Sequence, residues 1–109
     1  MRTIVILVAS IGITVPFSMG GMDMRLAWAQ NCASCHGKDG SGSTMMGKKL
    51  RVKDYRDPTL QAAFRDAEAE RAIKEGVKTN GKETMKPFGS KLSQPDIKAL
   101  IAYIRSFRK

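Results

Sequence analysis

The chain has 109 residues and a formal net charge of +9, with two cysteines and a single histidine. This length provides one domain. The basic residues are spread along the sequence and do not form one run, which argues against a nucleic-acid-binding arm and for a solvated basic surface.

The N-terminal segment has the pattern of an export signal. Arg2 precedes an apolar run at residues 4–15, and about a dozen apolar residues is short for a membrane span but typical of a signal-peptide core. Pro16 ends the run, and the small residues Ser18 and Gly20 predict cleavage after Gly20.

We therefore expect a signal peptide over residues 1–20 and one mature domain over residues 21–109. Cleavage would lower the net charge from +9 to +8 and leave no stable membrane span. The predicted location is periplasmic, where two cysteines three positions apart need a specific use. The alternative is that the segment stays in place as an uncleaved anchor.

An amphipathic helix is predicted over residues 22–30. Met22, Leu26 and Ala29 recur at spacings of four and three, which is the period of a helix face. Trp28 lies one turn before the motif that follows. We expect it to pack beside the group held by that motif or against another helix.

The motif Cys32-Ala33-Ser34-Cys35-His36 contains both cysteines and the only histidine. In a helix, these three side chains would project from one face. Two thiols can then bond to the two vinyl groups of a haem while the imidazole reaches the iron. The pattern C-x-x-C-H is a signature of c-type haem attachment and predicts one covalent haem c.

Two other uses of the motif fit the sequence less well. A reducible thioredoxin-like dithiol usually precedes a helix inside a βαβ pattern, and no alternating β-branched run surrounds Cys32 and Cys35. A structural zinc site needs four ligands, and two cysteines with one histidine provide three. The thiol-disulfide protein remains the alternative that does not involve haem.

The middle of the chain predicts short elements. A glycine-rich loop follows the motif at residues 37–43. A short helix is possible over residues 59–64, and a second helix over residues 67–75 would be capped by Asp66 and stopped by Gly76. Residues 79–82 predict a turn. The second helix would bury Ala69, Ala72 and Ile73.

Met85 lies in a polar, turn-rich segment, where no helical stripe accounts for its apolar side chain. A haem iron bound by one histidine needs a second axial group, and a thioether is the leading candidate. Met45 and Met46 are alternatives, but they follow His36 closely and have a short reach to the opposite haem face. We therefore favour His36 and Met85 as the iron ligands.

The closing helix has the clearest signals in the chain. Ser93 is predicted to cap it, Asp96 to complete a capping box, and the helix to run through to Phe107. The apolar residues at helical spacing are Ile97, Leu100, Ile101 and Ile104.

This order of elements resembles the small monohaem class I cytochromes c over nearly all of residues 22–109. The specific parts are the C-x-x-C-H motif with the following glycine and residues 85–107, especially Met-Lys-Pro-Phe-Gly and Leu-Ile-Ala-Tyr-Ile-Arg. The resemblance implies an all-α cytochrome c fold. Its N- and C-terminal helices would cross, with Tyr103 at the crossing, and short helices and loops would wrap one haem.

The resemblance also implies a role for each site residue. Cys32 and Cys35 would form thioethers, His36 would be the proximal ligand and Met85 the distal one. The family often has a proline whose carbonyl orients the histidine, and this chain has Lys48 at that place, so no partner for the imidazole is named. Candidate partners for the haem propionates are Tyr55, Arg51 and Lys53.

With both axial positions filled, the iron could only cycle between two redox states, which predicts an electron carrier and not an enzyme. A ligand-binding or peroxidase-like haem protein, or a haem c subunit of a larger oxidoreductase, remains possible. We expect a monomer that meets acidic reductases, oxidases or dehydrogenases through a basic rim. The rim would comprise Lys48, Lys49, Arg51, Lys53, Lys74, Lys78, Lys82, Lys86 and Lys91.

Overall fold

The computed structural model describes residues 2–12 and 23–109. Within these ranges the chain forms six helices and one two-stranded antiparallel sheet. The helices are α1 (Met24–Asn31), α2 (Ala33–His36), α3 (Met45–Leu50), α4 (Pro58–Ala63), α5 (Asp66–Glu75) and α6 (Gln94–Arg105). The strands are β1 (Val77–Thr79) and β2 (Lys82–Met85). The predicted helical class is confirmed, with one small hairpin added.

The N-terminal segment is exposed throughout residues 2–12. Residues 2–12 have no regular secondary structure, and apolar side chains such as Leu7 are almost fully exposed. The predicted cleavage site after Gly20 and the residue Met22 lie outside the described residues. In the ranges that are described, no helix is both long and apolar enough to cross a bilayer.

The core forms where α1 crosses α6, as expected for terminal helices that pack together. Trp28 is 2% exposed, and its ring centroid lies 5.9 Å from that of Tyr103 and 5.0 Å from that of Phe107. Gly40 has a φ of +72°, and a Cβ there would lie 2.7 Å from the Phe107 ring. Glycine is therefore required for the loop to close over this crossing.

The closing helix has the predicted cap. The Asp96 amide donates to the Ser93 hydroxyl at 3.2 Å, and the Ser93 amide donates to the Asp96 carboxylate at 3.0 Å. Helix α6 ends at Arg105, so Phe107 lies beyond it. Its buried face comprises Ile97, Leu100, Ile101 and Ile104, and full burial of such a side chain contributes about 1.5–3 kcal/mol.

The prediction that Asp66 caps the next helix is wrong. Asp66 is the first residue of α5, and Arg65 occupies the cap position without a side-chain hydrogen bond. The Asp66 carboxylate instead accepts hydrogen bonds from Arg105 Nη2 at 2.8 Å and Nε at 3.0 Å. A charged partner from the other end of the domain thus outcompetes the local backbone amides.

Three elements were not predicted: strands β1 and β2 and helix α3. The expected turn is present at Asn80 and Gly81, with φ of +52° and +77°, and positive φ at both centres is the geometry that joins a tight hairpin. The flanking strands were not anticipated, because they are short and largely exposed. Helix α3 was also missed; Thr44 caps it by accepting the Gly47 amide at 2.8 Å.

Candidate functional site

Two segments contribute to the lining of one cleft in the domain. We name residues 24–36, which comprise α1, Cys32 and α2, the cysteine wall, and residues 76–89 the methionine wall. The cleft between them has a volume of about 680 Å³, within the range of about 300–1,000 Å³ usual for small-molecule and cofactor sites. A narrower cavity of about 50 Å³ is also lined by both walls.

The cysteine wall places the predicted motif at the cleft. Cys32 and His36 line both cavities, and Cys35 lines the larger one. The His36 amide donates to the Cys32 carbonyl at 2.9 Å, as in a helical turn. The three predicted side chains are therefore brought to one cleft.

Both cysteines are free thiols. Burial raises the pKa of the Cys32 thiol to about 11, and the neighbouring Cys35 contributes to this rise. Thiol-disulfide oxidoreductases work with thiols of lowered pKa, so the environment of Cys32 is the reverse of theirs.

The His36 imidazole lies between two aromatic rings. The centroids of Trp28 and Tyr55 are each 5.5 Å from its own, and burial lowers its pKa, which favours the neutral form. Its Nδ1 is buried and has no hydrogen-bond partner in the described part of the chain. A buried nitrogen without a partner costs free energy. The imidazole therefore has bonding capacity at Nδ1 that no described residue satisfies.

The structure separates the three candidate methionines. Met85 lines both cavities together with His36. Met46 lines only the larger cavity and is 44% exposed, whereas Met45 lines neither and is 88% exposed. Met85 is thus the methionine placed deepest beside the imidazole.

Helix α5 closes the narrow cavity with the face that the sequence predicted. Ala69, Ala72 and Ile73 line this cavity together with Leu100 and Ile104 from α6. These side chains are apolar, so they exclude water from the space between the walls.

The rim of the cleft is basic and polar. Arg51, Lys53 and Tyr55, the candidates for propionate contact, line the larger cavity together with Lys86. The nine basic residues of the predicted rim are exposed. None of the nine forms an ion pair with another described residue.

The residues present fit a covalently attached haem. They provide two free thiols, an imidazole with unused bonding capacity, a thioether and an apolar cleft. No cluster of three or more histidine, cysteine or acidic side chains suited to a bare metal ion occurs among the residues that the structure describes. This donor set suits a metal carried by a macrocycle.

One residue of the site was missed by sequence reasoning. The Thr44 hydroxyl donates to the Cys35 carbonyl at 2.7 Å while it caps α3. Gly47 lies directly against the same carbonyl, with no room for a Cβ. Thr44 could have been recognised as a helix cap from its type, but its contact with the motif depends on the folded loop.

Comparisons with known proteins agree with this geometry. Residues 21–104 match the family described as "Cytochrome C oxidase, cbb3-type, subunit III". Cytochrome c-554(547) of Halothiobacillus neapolitanus is 32% identical over 78 residues, which cover 72% of this chain and 86% of the relative. Cytochrome c6 of Picosynechococcus is 35% identical over 80 residues, covering 71% of this chain and 64% of the relative.

Solved structures give the same result. The KustC0563 c-type cytochrome superposes with a TM-score of 0.72 at 34% identity, covering 81% of this chain and 100% of that structure. A tyrosine-to-phenylalanine mutant of that cytochrome superposes with a TM-score of 0.69 at 33% identity, covering 80% of this chain and 100% of the mutant. The chain therefore belongs to the cytochrome family that residues 21–104 match, as a small class I c-type cytochrome, an electron-transfer protein with covalently bound haem c.

Proposed function

We propose that this chain is a single-electron carrier whose haem c is attached through Cys32 and Cys35 and ligated by His36 and Met85. The observation that supports this most directly is that His36 from the cysteine wall and Met85 from the methionine wall line the same narrow cavity. When bound, haem supplies a one-electron cycle between ferrous and ferric iron. The chain supplies attachment, ligation, exclusion of water and partner recognition.

Each site residue has a defined chemical role in this proposal. Cys32 and Cys35 would hold the haem through thioether bonds to its two vinyl groups, each thiol hydrogen going to the vinyl carbon that the sulfur does not bond. The neutral His36 imidazole and the Met85 thioether would hold the iron, and the thioether would raise the reduction potential. With two protein ligands on the iron, the protein would act as a carrier and not as an enzyme.

Partner recognition is assigned to the basic rim. Lys53 and Lys86 line the open cleft, where an electron would enter or leave, and their charge would steer an acidic reductase, oxidase or dehydrogenase toward it. Contacts of this kind are brief and weakened by salt. We propose that the chain acts as a monomer in these encounters.

Visible spectra of the exported protein test the haem and its ligands. We expect sharp reduced bands that stay with the polypeptide after acid-acetone extraction. Met85→His should lower the reduction potential while the haem stays attached, because a second imidazole replaces the thioether. Met45→His is the matched control, since Met45 lies outside both cavities, and its potential should equal that of the wild type.

Two results would contradict these assignments. A colourless protein from a host able to attach haem would make Cys32 and Cys35 a dithiol to be titrated. An unchanged potential in Met85→His, together with a lowered potential in Met46→His, would move distal ligation to Met46.

The basic rim is tested by charge reversal. Lys53→Glu should slow electron transfer to an acidic partner protein at low salt and reduce the salt dependence of the rate. Lys98→Glu changes the net charge equally on an exposed position of α6, outside the cleft lining. Equal slowing by the two variants would leave only net charge as the cause.

A second candidate is a haem c subunit of a larger oxidoreductase, which the description of the matching family favours. A basic cleft could then face a fixed neighbour in place of a diffusing partner. Purification of the native protein distinguishes the two, because a subunit would co-purify with other chains at constant stoichiometry and a free carrier would elute alone.

Export to the periplasm through residues 1–20 is also proposed. It is supported by the exposed apolar run that begins at Ile4, which would be a poor surface for a soluble carrier. The intact mass of the purified protein should correspond to residues 21–109 with one haem. A mass that includes residues 1–20 would indicate a retained anchor.

A further inference from the structure

The methionine wall is joined to the end of helix α5 by its backbone. The Phe88 amide donates to the Ile73 carbonyl at 2.8 Å, and the Gly89 amide donates to the Lys74 carbonyl at 3.1 Å. Carbonyls in the last turn of a helix have no partner within the helix. The segment that follows Met85 therefore completes the hydrogen bonding of α5.

Gly76, which ends α5, is pressed against the backbone of Met85 itself. A Cβ at this position would lie 2.6 Å from the Met85 carbonyl oxygen and 2.9 Å from the Pro87 nitrogen. Gly89 makes the reciprocal approach, since a Cβ there would lie 2.9 Å from the Lys74 carbonyl oxygen. These two glycines allow the two backbones to lie in direct contact.

The same helix also shapes the space that the Met85 side chain enters. Ala69, Ala72 and Ile73 of α5 line the narrow cavity together with Met85 and His36. The C-terminal end of α5 contacts the Met85 backbone. The side chains on the buried face of α5 limit the space around the Met85 side chain. The position of the Met85 thioether relative to the His36 imidazole therefore depends on α5.

We propose that Gly76 is a positioning residue for the distal ligand: its missing side chain lets the Met85 backbone dock on α5, which holds the thioether at bonding distance from the iron. This inference rests on the proposed ligation by Met85. Any side chain at position 76 would push the Met85 carbonyl away from α5 and weaken the bond between sulfur and iron.

The test compares Gly76→Ala with Gly81→Ala in the haem-loaded protein. The two glycines have φ of +76° and +77°, but Gly76 also has a ψ of −178°, a combination that essentially only glycine adopts. Nothing lies within 4 Å of a Cβ at Gly81. Gly81→Ala therefore controls for a side chain at positive φ, and Gly89→Ala, at a glycine without positive φ, tests docking on α5 without the backbone strain at position 76.

The measured quantity is the affinity of the ferric protein for added imidazole, which competes with the distal ligand. We expect Gly76→Ala to bind imidazole at least about tenfold more tightly than Gly81→Ala, given how steeply function depends on placement within 1 Å. Its reduction potential should also be lower than that of Gly81→Ala. A purely structural role would lower the unfolding midpoint and leave these ligand readouts equal.

Equal imidazole affinities in the two alanine variants would overturn the proposal. Whether or not Gly76→Ala folds, Gly89→Ala tests the docking of the same segment on α5 through a different contact, because a Cβ at Gly89 would meet the Lys74 carbonyl. Its imidazole affinity should also exceed that of Gly81→Ala. A Gly89→Ala affinity equal to that of the control would then overturn the proposal.

Met85→Ala separates this inference from the proposed function. If Met85→Ala leaves the imidazole affinity at the wild-type level, Met85 is not the distal ligand and both proposals fall. If Met85→Ala raises the affinity while Gly76→Ala matches Gly81→Ala, only the positioning role falls.

Discussion

The two walls of the cleft are built in different ways. The cysteine wall carries its chemistry in adjacent residues and is anchored by Trp28, which is 2% exposed and donates from Nε1 to the Gly37 carbonyl at 2.8 Å. The methionine wall carries one predicted ligand at the end of a hairpin whose first strand has no buried residue. It is held by Phe88 and by backbone contacts with α5.

This difference indicates that one wall is part of the core and the other is attached to it. Regions with few buried apolar contacts open more readily than the core. In such a redox site the cysteine wall, which attaches the haem, would stay fixed. The strength of distal ligation would depend on how closely the methionine wall packs against α5.

The largest expected effect is in hydrogen exchange. Amides of Leu100 and Ile101 in α6 should open only with global unfolding, which for small domains costs about 5–15 kcal/mol. Amides of Lys78 and Glu83 in the exposed hairpin should open at a small fraction of that free energy. Equal protection in the two regions would mean that the hairpin and the core unfold as one unit.

Trp28→Ala tests the anchoring of the cysteine wall. The variant removes the ring that packs against His36, Tyr103 and Phe107, so the free energy of unfolding should fall by about 3–5 kcal/mol. Leu26→Ala is the matched control on the same helix, because Leu26 is 54% exposed. Denaturant titration measures the free energy of unfolding of both variants. Similar losses in Trp28→Ala and Leu26→Ala would show that the cysteine wall is not organised around Trp28.

Gln61→Ala tests a long-range support of the cysteine wall. Buried Gln61 donates from Nε2 to the carbonyls of Tyr55 at 2.7 Å and Ile104 at 2.9 Å, and Tyr55 packs against His36. Two carbonyls would lose a partner, so we expect a loss of about 1–3 kcal/mol in the free energy of unfolding. The exposed residue Thr59 on the same helix supplies the control, Thr59→Ala, which should be close to neutral.

The smallest effect is expected on the outer face of α5. Arg71 Nε lies 3.0 Å from Glu75 Oε2, with side chains 78% and 60% exposed, so Arg71→Ala should change the free energy of unfolding by about 0.5 kcal/mol or less. The small difference should vanish at high salt. A loss above about 1 kcal/mol, the upper end of the usual range for exposed pairs, would mean that the helix supports the methionine wall through its exposed face as well.

The sequence was most informative where chemistry and periodicity are local. The haem-attachment motif lies within residues 32–36, and α6 follows from apolar spacing and a capping box that the structure reproduces. The buried face of α5 was identified for the same reason, since Ile73 is 4% exposed and its neighbours at helical spacing line the cavity.

The sequence was least informative where a contact joins distant residues. The side chain of Asp66 is a good helix cap by type, but Arg105, 39 positions away, binds it instead. The hairpin lacks an alternating apolar pattern because neither of its strands has a buried residue. The docking of Gly76 on the Met85 backbone could not be predicted, because it depends on a turn that folds the chain back on itself.

The hairpin tip has a consequence for engineering. Nothing lies within 4 Å of a Cβ at Gly81, and exposed turn tips are the sites where insertions are best tolerated. The tip is nevertheless connected through one strand to Met85. A surface-binding peptide inserted between Asn80 and Gly81 would thus immobilise the protein on an electrode with the cleft held at a defined orientation, and it would leave every core contact in place.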